Sequence, residues 1–483
     1  MTKEEIITMK PSAVWNQFYE ISQIPRCSTK EEKILAYLKE FCKKNNLIFK
    51  QDAIKNICIK KPATKGMENK PGVVLQGHVD MVCEKNAETV HDFSKDPIKL
   101  LLKDGWITAD GTTLGADNGI AVAMALAVLE DKDIEHGPLE ALFTIDEESA
   151  LTGALELDPS IVDGSILFNI DSEEEGIFYI GCAGGVTTIG NVSVEDEELK
   201  GDQKSYQLRV TGFKGGHSGA EIHEERANAI SVGARILRDL NIKSAIQIHK
   251  INGGGKHNAI PREIFISFVS NNPEAIVDVI SKYSKILKNE IGDLESNMSI
   301  KVVEEDTIPK KVFTKDFSDR LISVLYSLPH GVIKMSRKVP GLVETSTNLA
   351  SVFQKNGNIE ITTSQRSSIM SENDEISGKV KAIMEAGGTN VHFESRYPSW
   401  EPDPDSNILN LFKNIYKREE GRVAEVKAIH AGLECGVIGD KLEGMEMISF
   451  GPDMEDVHTP DERLKVKSVE AVWNFLLKVL KEV

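Results

Sequence analysis

Cysteine is scarce and scattered. Cys27, Cys42, Cys58, Cys83, Cys182 and Cys435 are the only six in 483 residues, and no two make a Cys-x-x-Cys pair. That usage argues against a disulfide framework and against a thiolate zinc site, and it suits the reducing cytoplasm. Long apolar runs are lacking as well. No stretch nears the roughly 20 residues of a membrane span, and the first residues, Met1-Thr-Lys-Glu-Glu-Ile6, hold no apolar signal region. Positive charge is in deficit: 57 Lys and Arg against 75 Asp and Glu leave a formal net charge of −18. That balance argues against nucleic acid, which demands a basic face, and against anionic membranes as partners. A site that gathers cations is favoured. The chain is also too long for one ordinary domain.

What the chain does have is a recurring pattern. Val73-Val-Leu75 is an apolar run that leads directly into Gly77-His-Val-Asp80. A buried parallel strand reads as such a run, and ligands collect beyond the carboxyl ends of such strands. His78 and Asp80 share one side of the chain, so the carboxylate can orient the imidazole. Three more apolar runs end the same way. Leu142-Phe-Thr-Ile145 precedes Asp146-Glu147-Glu148, Ile166-Leu-Phe-Asn-Ile170 precedes Asp171, and the run Met445 to Phe450 precedes His458. A fifth segment, Thr112 to Ile120, places Asp117 just before a nearly all-apolar helix from Ile120 to Leu129. A single strand-end histidine or a Glu-Glu pair is ordinary. Five buried elements ending in a histidine or a carboxylate are not what a solvated acidic surface produces.

The organisation expected is α/β with an insertion. Residues 11–46 read as two helices, with Thr29 and Glu32 at capping-box spacing. Strands and helices then alternate to about residue 185, giving a wound central sheet flanked by helices. Residues 186–397 differ in texture. Strands with period-2 alternation, such as Ser205 to Val210, are mixed with long helices from Asn228 to Leu240 and from Pro273 to Ile291. The catalytic domain is thus expected to be discontinuous, 1–185 plus 398–483, with an inserted α+β domain at 186–397. That insert is large enough for two related halves, and Ile264–Phe268 with Ile359–Thr363 is a candidate repeat. A last helix, Ser468 to Leu480, has apolar residues at helical spacing and is expected to pack on the sheet.

His78, Asp117, Glu148, Asp171 and His458 make a donor set suited to Zn²⁺, Mn²⁺ or Co²⁺. Two such ions need one shared carboxylate, and Asp117 is the candidate outside the strand ends. Glu147 and Glu148, adjacent at a strand end, are expected to point to different sides. Glu148 can then bind metal while Glu147 serves as general base. In the insert, Gly215-Gly-His217-Ser-Gly219 offers His217 as an oxyanion donor, the alternative being a turn histidine. Asn258 offers a donor, and Arg366 offers a guanidinium for a substrate carboxylate. Glu434, in His430-Ala-Gly-Leu-Glu-Cys-Gly436, could hold a substrate amine or be a buried paired acid.

These runs, together with Thr113-Leu-Gly-Ala-Asp-Asn-Gly119, Asn169-Ile-Asp-Ser-Glu-Glu-Glu-Gly176, Asn258-Ala-Ile-Pro-Arg262 and the stretch Gly451 to Glu462, follow one another in an order that resembles the M20 family of cocatalytic zinc peptidases. Leu-Gly-Ala-Asp-Asn-Gly and His-Ala-Gly-Leu-Glu-Cys-Gly point to its branch of cytosolic dipeptidases acting on Xaa-His peptides. The resemblance implies a zinc-peptidase-like catalytic domain with a lid. It implies one metal on His78 and Asp171, a second on Glu148 and His458, and Asp117 bridging. It further implies Asp80 behind His78, Glu147 as general base and acid, His217 at the oxyanion, and a cis Asp117–Asn118 peptide. The substrate would be a small peptide with a free amino end. Related tripeptidases and N-acyl amino-acid deacylases share such a core. A non-catalytic relative would have lost the base or a ligand, and neither is missing here. A homodimer paired through the lid and a doubled lid within one chain both remain open.

Overall fold

The computed structural model describes residues Met1–Val483. The four apolar runs become strands that lie side by side. Leu139–Thr144, Val73–His78, Ile166–Asn169 and Glu446–Ser449 are neighbours in that order, all parallel. Val73–His78 and Leu139–Thr144 are buried at every position, as the unbroken apolar runs require. An eight-stranded mixed sheet is completed by antiparallel Ile48–Gln51 and Ile57–Lys61 on one side and by antiparallel Ile177–Cys182, with Glu425–Ile429 beyond it, on the other.

Helices cover this sheet. Ala116–Glu130 is buried along nearly its whole length, which explains why it is apolar all round. Val466–Glu482 turns Val469, Val472, Leu476 and Val479 inward. The few aromatics are concentrated here: Phe168, Phe178, Phe412 and Phe475 meet with ring centroids 5.0–5.4 Å apart.

Two local expectations are corrected. Helix Glu32–Asn45 is not opened by a Thr29–Glu32 capping box. Thr29 sits at φ 65°, and its N–H donates to Glu31, whose carboxylate also accepts from Asp146 N at 3.1 Å. Cysteine spacing also concealed one bond. Cys27 and Cys83, 56 residues apart, form a disulfide, while the other four cysteines are free and buried. It joins segments already aligned by a parallel bridge between Cys27 and Met81.

The chain divides into two compact units, one of residues 1–182, 400–428 and 433–483, the other of 183–399 and 429–432. The second is an antiparallel nine-stranded sheet with helices Ala229–Ser244, Pro273–Ile291, Lys315–Ser327 and Met370–Ala386. Helix, strands, helix and strand occur over 229–304 and over 315–397, the first series with a short strand Ala259–Ile260 inside its hairpin and the second with Gly331–Met335 ahead of its own. Strands Gln247–Gly254 and Val343–Lys355 pair where the two series meet. No helix in the molecule is long and apolar enough to cross a membrane.

Candidate metal and active site

Parallel strands all point their carboxyl ends one way, so the chemistry of four sequence segments arrives at one edge of the sheet. His78 ends its strand. Asp171 follows Ile166–Asn169 by two residues, and Glu147 and Glu148 follow Leu139–Thr144. His458 lies in the loop beyond Glu446–Ser449, at φ 63°.

Asp117 is central to the arrangement. Its Oδ1 is 3.1 Å from His78 Nε2, and its Oδ2 is 3.1 Å from His458 Nε2. His78 Nε2 also lies 3.6 Å from Asp171 Oδ1, and His458 Nε2 lies 2.9 Å from Glu148 Oε2. Among the groups whose donor atoms lie within 4.8 Å of one another are two that contain Asp117, His78–Asp117–Asp171 and Asp117–Glu148–His458. They share only Asp117. The Asp117–Asn118 peptide is cis, as the family resemblance implied.

These donors fit divalent cations. Glu148 Oε1 and Asp171 Oδ1 are buried and make no hydrogen bond. Burial, reinforced by Asp117, Glu147 and Glu434, holds the Asp171 carboxyl well above the usual range. His458 is pushed up to about 11 by its hydrogen bonds to Asp117 and Glu148. Carboxylates and imidazoles crowded in this way are the donor chemistry that a divalent cation takes.

Asp80 is fully buried, and burial alone would raise its pKa. His78, the Glu147 amide and Ser28 outweigh that and lower it to about 2. Its Oδ1 lies 3.3 Å from His78 Nδ1 and accepts from Glu147 N at 3.1 Å. Its Oδ2 accepts from Glu148 N at 3.2 Å and Ser28 Oγ at 2.8 Å. One carboxylate thus ties His78 to the Glu147–Glu148 turn.

That turn corrects the strand-end expectation. Asp146 enters the left-handed region at φ 49°, and Glu147–Ala150 is a short helical turn. Glu147 and Glu148 are separated by helical geometry rather than by strand alternation. Glu147 still differs from its neighbour. Burial, with Glu434, Glu148 and Asp117 adding, raises its carboxyl to about 8.

Glu434 has no exposed surface. Its Oε2 accepts from Gln76 Nε2 at 2.6 Å and Thr144 Oγ1 at 2.9 Å, so it joins two central strands. Its other oxygen, Oε1, is buried with no hydrogen-bond partner.

The remaining predicted residues belong to the second unit. His217 Nδ1 accepts from Gly219 N at 3.2 Å and Ala220 N at 2.9 Å. The ring proton therefore resides on Nε2. Desolvation and Arg366 lower the His217 pKa, keeping the ring neutral. A Cβ on Gly219 would fall 2.6 Å from His430 O, 3.0 Å from His217 Cε1 and 3.2 Å from Arg366 Cζ, so only glycine lets these three groups converge. Arg366 donates to Tyr397 Oη at 2.9 Å, while its buried Nε has no acceptor. Asn258 is held beside His217, its carbonyl accepting from Ser218 N at 2.8 Å.

Sequence reading missed Arg26, Ser28 and the role of Glu462. Arg26 and Ser28 stand in a loop between helices, where no periodicity marks a residue. Glu462 was visible only as the end of a matched run.

Comparison with known proteins agrees with this geometry. Residues 74–482 match the family described as peptidase family M20/M25/M40. The chain is similar to cytosol non-specific dipeptidase of Escherichia coli (strain K12), 38% identical over 481 residues and 99% of each chain. It is also similar to the crystal structure of aminoacylhistidine dipeptidase from Vibrio alginolyticus, with 38% identity and a TM-score of 0.94 over 99% of this chain and 98% of that one. A tripeptidase from Staphylococcus aureus has 18% identity and a TM-score of 0.56 over 98% of each chain, a likeness of fold alone.

Proposed function

The chain belongs to peptidase family M20/M25/M40, and from that membership we propose a cytoplasmic metallo-dipeptidase that cleaves dipeptides with a free amino end, Xaa-His dipeptides among them. The observation that carries the reading is Asp117, whose two carboxylate oxygens face two different imidazoles. We assign His78 and Asp171 to one ion, His458 and Glu148 to the other, and Asp117 to both. Zn²⁺ suits the set best, with Co²⁺ and Mn²⁺ also compatible. Bound there, the ions supply Lewis acidity toward a carbonyl and acidify water.

The protein's own groups do the rest. Glu147, half-buried and raised to about 8, takes the proton of the attacking water and returns it to the leaving amine nitrogen. Asp80 fixes the His78 ring from behind. His217 offers its Nε2–H to the carbonyl oxygen that gains charge. Arg366, with its unspent Nε, and Asn258 suit the carboxylate end of a short peptide. The two relatives at 38% identity carry dipeptidase names, which supports the substrate class.

The test is a panel of dipeptides, tripeptides and N-acyl amino acids on protein reconstituted with Zn²⁺, Co²⁺ or Mn²⁺, alongside elemental analysis. Two ions per chain and preferred turnover of dipeptides, abolished by chelator, are expected. Preferred turnover of tripeptides or acyl amino acids would replace the substrate class. Protein free of ions yet fully active would overturn the site.

A further inference from the structure

Two buried charges lie outside the proposed chemistry and touch none of the groups assigned to hold an ion through their side chains. Glu462 and Arg26 are each only 2% exposed. An isolated charge at such depth is costly unless it is hydrogen-bonded. Both are: Glu462 spends its hydrogen bonds on the backbone that presents Asp117, and Arg26 divides its own between that segment and the Val79–Asp80 backbone.

Glu462 accepts four consecutive amides. Leu114 N donates at 2.7 Å, Gly115 N at 2.9 Å, Ala116 N at 2.8 Å and Asp117 N at 3.3 Å. Successive N–H groups curled about one anion form a nest. Here the anion is a side chain from 345 residues further along the chain. Arg26 holds the other face of the same segment, donating to Gly115 O. It also donates to Val79 O at 3.0 Å and Asp80 O at 2.8 Å. Gly115 is thus gripped by Glu462 at its nitrogen and by Arg26 at its oxygen.

The glycines of the Leu-Gly-Ala-Asp-Asn-Gly run answer to this arrangement. A Cβ on Gly115 would come within 2.6 Å of Arg26 Nη2, and one on Gly119 within 2.5 Å. Gly115 also needs φ +69°. The motif is shaped by the guanidinium passing through it.

We propose that Glu462 and Arg26 are positioning residues for metal binding, locking the Asp117 segment to the His78–Asp80 segment at the spacing at which Asp117 faces both imidazoles. This rests on the two-ion reading above. Gln at 462 offers one oxygen where two are used and turns an NH₂ against amide donors. The segment must then move, and Asp117 moves with it.

The test is E462Q, read against E295Q as control. Glu295, in the second unit, is also buried and accepts backbone amides, from Lys214 at 2.8 Å and Ala227 at 3.1 Å. Zn²⁺ affinities come from chelator competition, site symmetry from the visible spectrum of the Co²⁺ protein, and fold from the metal-free melting temperature. For E462Q we expect a loss of about 10- to 100-fold in affinity for at least one ion, a changed Co²⁺ spectrum, and a drop in kcat larger than any change in KM. E295Q should lower the melting temperature and leave affinity and spectrum alone. The proposal is overturned if E462Q binds both ions with wild-type affinity and spectrum, or if E295Q weakens binding equally. Should E462Q not fold, R26K is read by the same two criteria. Wild-type protein that fails to bind two ions would instead sink the site assignment itself.

Discussion

Glu147 and Glu148 are chemically identical side chains one residue apart, and their surroundings divide the labour. Glu148 Oε2 lies 2.9 Å from His458 Nε2, whereas Glu147 is raised to about 8 by burial among other carboxylates. Replacing Glu147 by Gln keeps shape and removes the proton carrier. We expect both ions to stay bound, with kcat reduced by about 10²- to 10⁴-fold, the usual weight of general acid–base catalysis. Stopped assays with parallel elemental analysis check this. A variant keeping most of its kcat would remove Glu147 from the role. Asp80 would respond differently to substitution, since it holds His78 and both glutamate amides at once, and its loss would disturb ligand and base together.

At the level of elements, caps and turns decide how chemistry is presented. Helix Ala229–Ser244 is capped by Asn228, whose Oδ1 accepts from Ile230 N at 2.9 Å and Ser231 N at 3.1 Å. Its Nδ2 donates to Leu349 O at 2.8 Å, tying the helix to a central strand of the second unit. Asn228→Ala should cost about 1–2 kcal/mol through the cap, plus the orphaned carbonyl. Denaturant unfolding of the second unit measures it, and a loss under about 0.5 kcal/mol would refute the account. The same level shows what the sequence revealed. Strand Val73–His78 and its partners were legible because unbroken apolar runs stop abruptly at histidine or aspartate. The Glu147–Ala150 turn was not, because it depends on Asp146 adopting φ 49°, which no pattern of apolar residues encodes. Arg26 was illegible for a related reason: its three acceptors are backbone carbonyls, and carbonyls carry no sequence signature. The disulfide partners Cys27 and Cys83 were visible as residues but not as a pair, since only the fold brings them together.

For the whole molecule, the division into two units has a thermodynamic consequence. Every residue assigned to metal lies in the first unit, and none in 183–399. A ligand that binds the native state stabilises what it binds, by about 2.7 kcal/mol at a hundred times its Kd. Scanning calorimetry with and without chelator should therefore lower the transition of the first unit and leave that of the second in place. Equal shifts in both would show that the units unfold as one. The first unit is also assembled from three stretches of chain, with His78 on an early strand and His458 and Glu462 beyond Glu446–Ser449, which pairs with Ile166–Asn169. Domains fold largely as they emerge during synthesis. The ribosome must therefore deliver the whole intervening unit before it delivers the last imidazole and the carboxylate that cradles Asp117. A nascent chain stalled short of that point holds His78, Asp117, Glu148 and Asp171 but lacks the second imidazole assigned to an ion and the carboxylate that holds the Leu114–Asp117 amides.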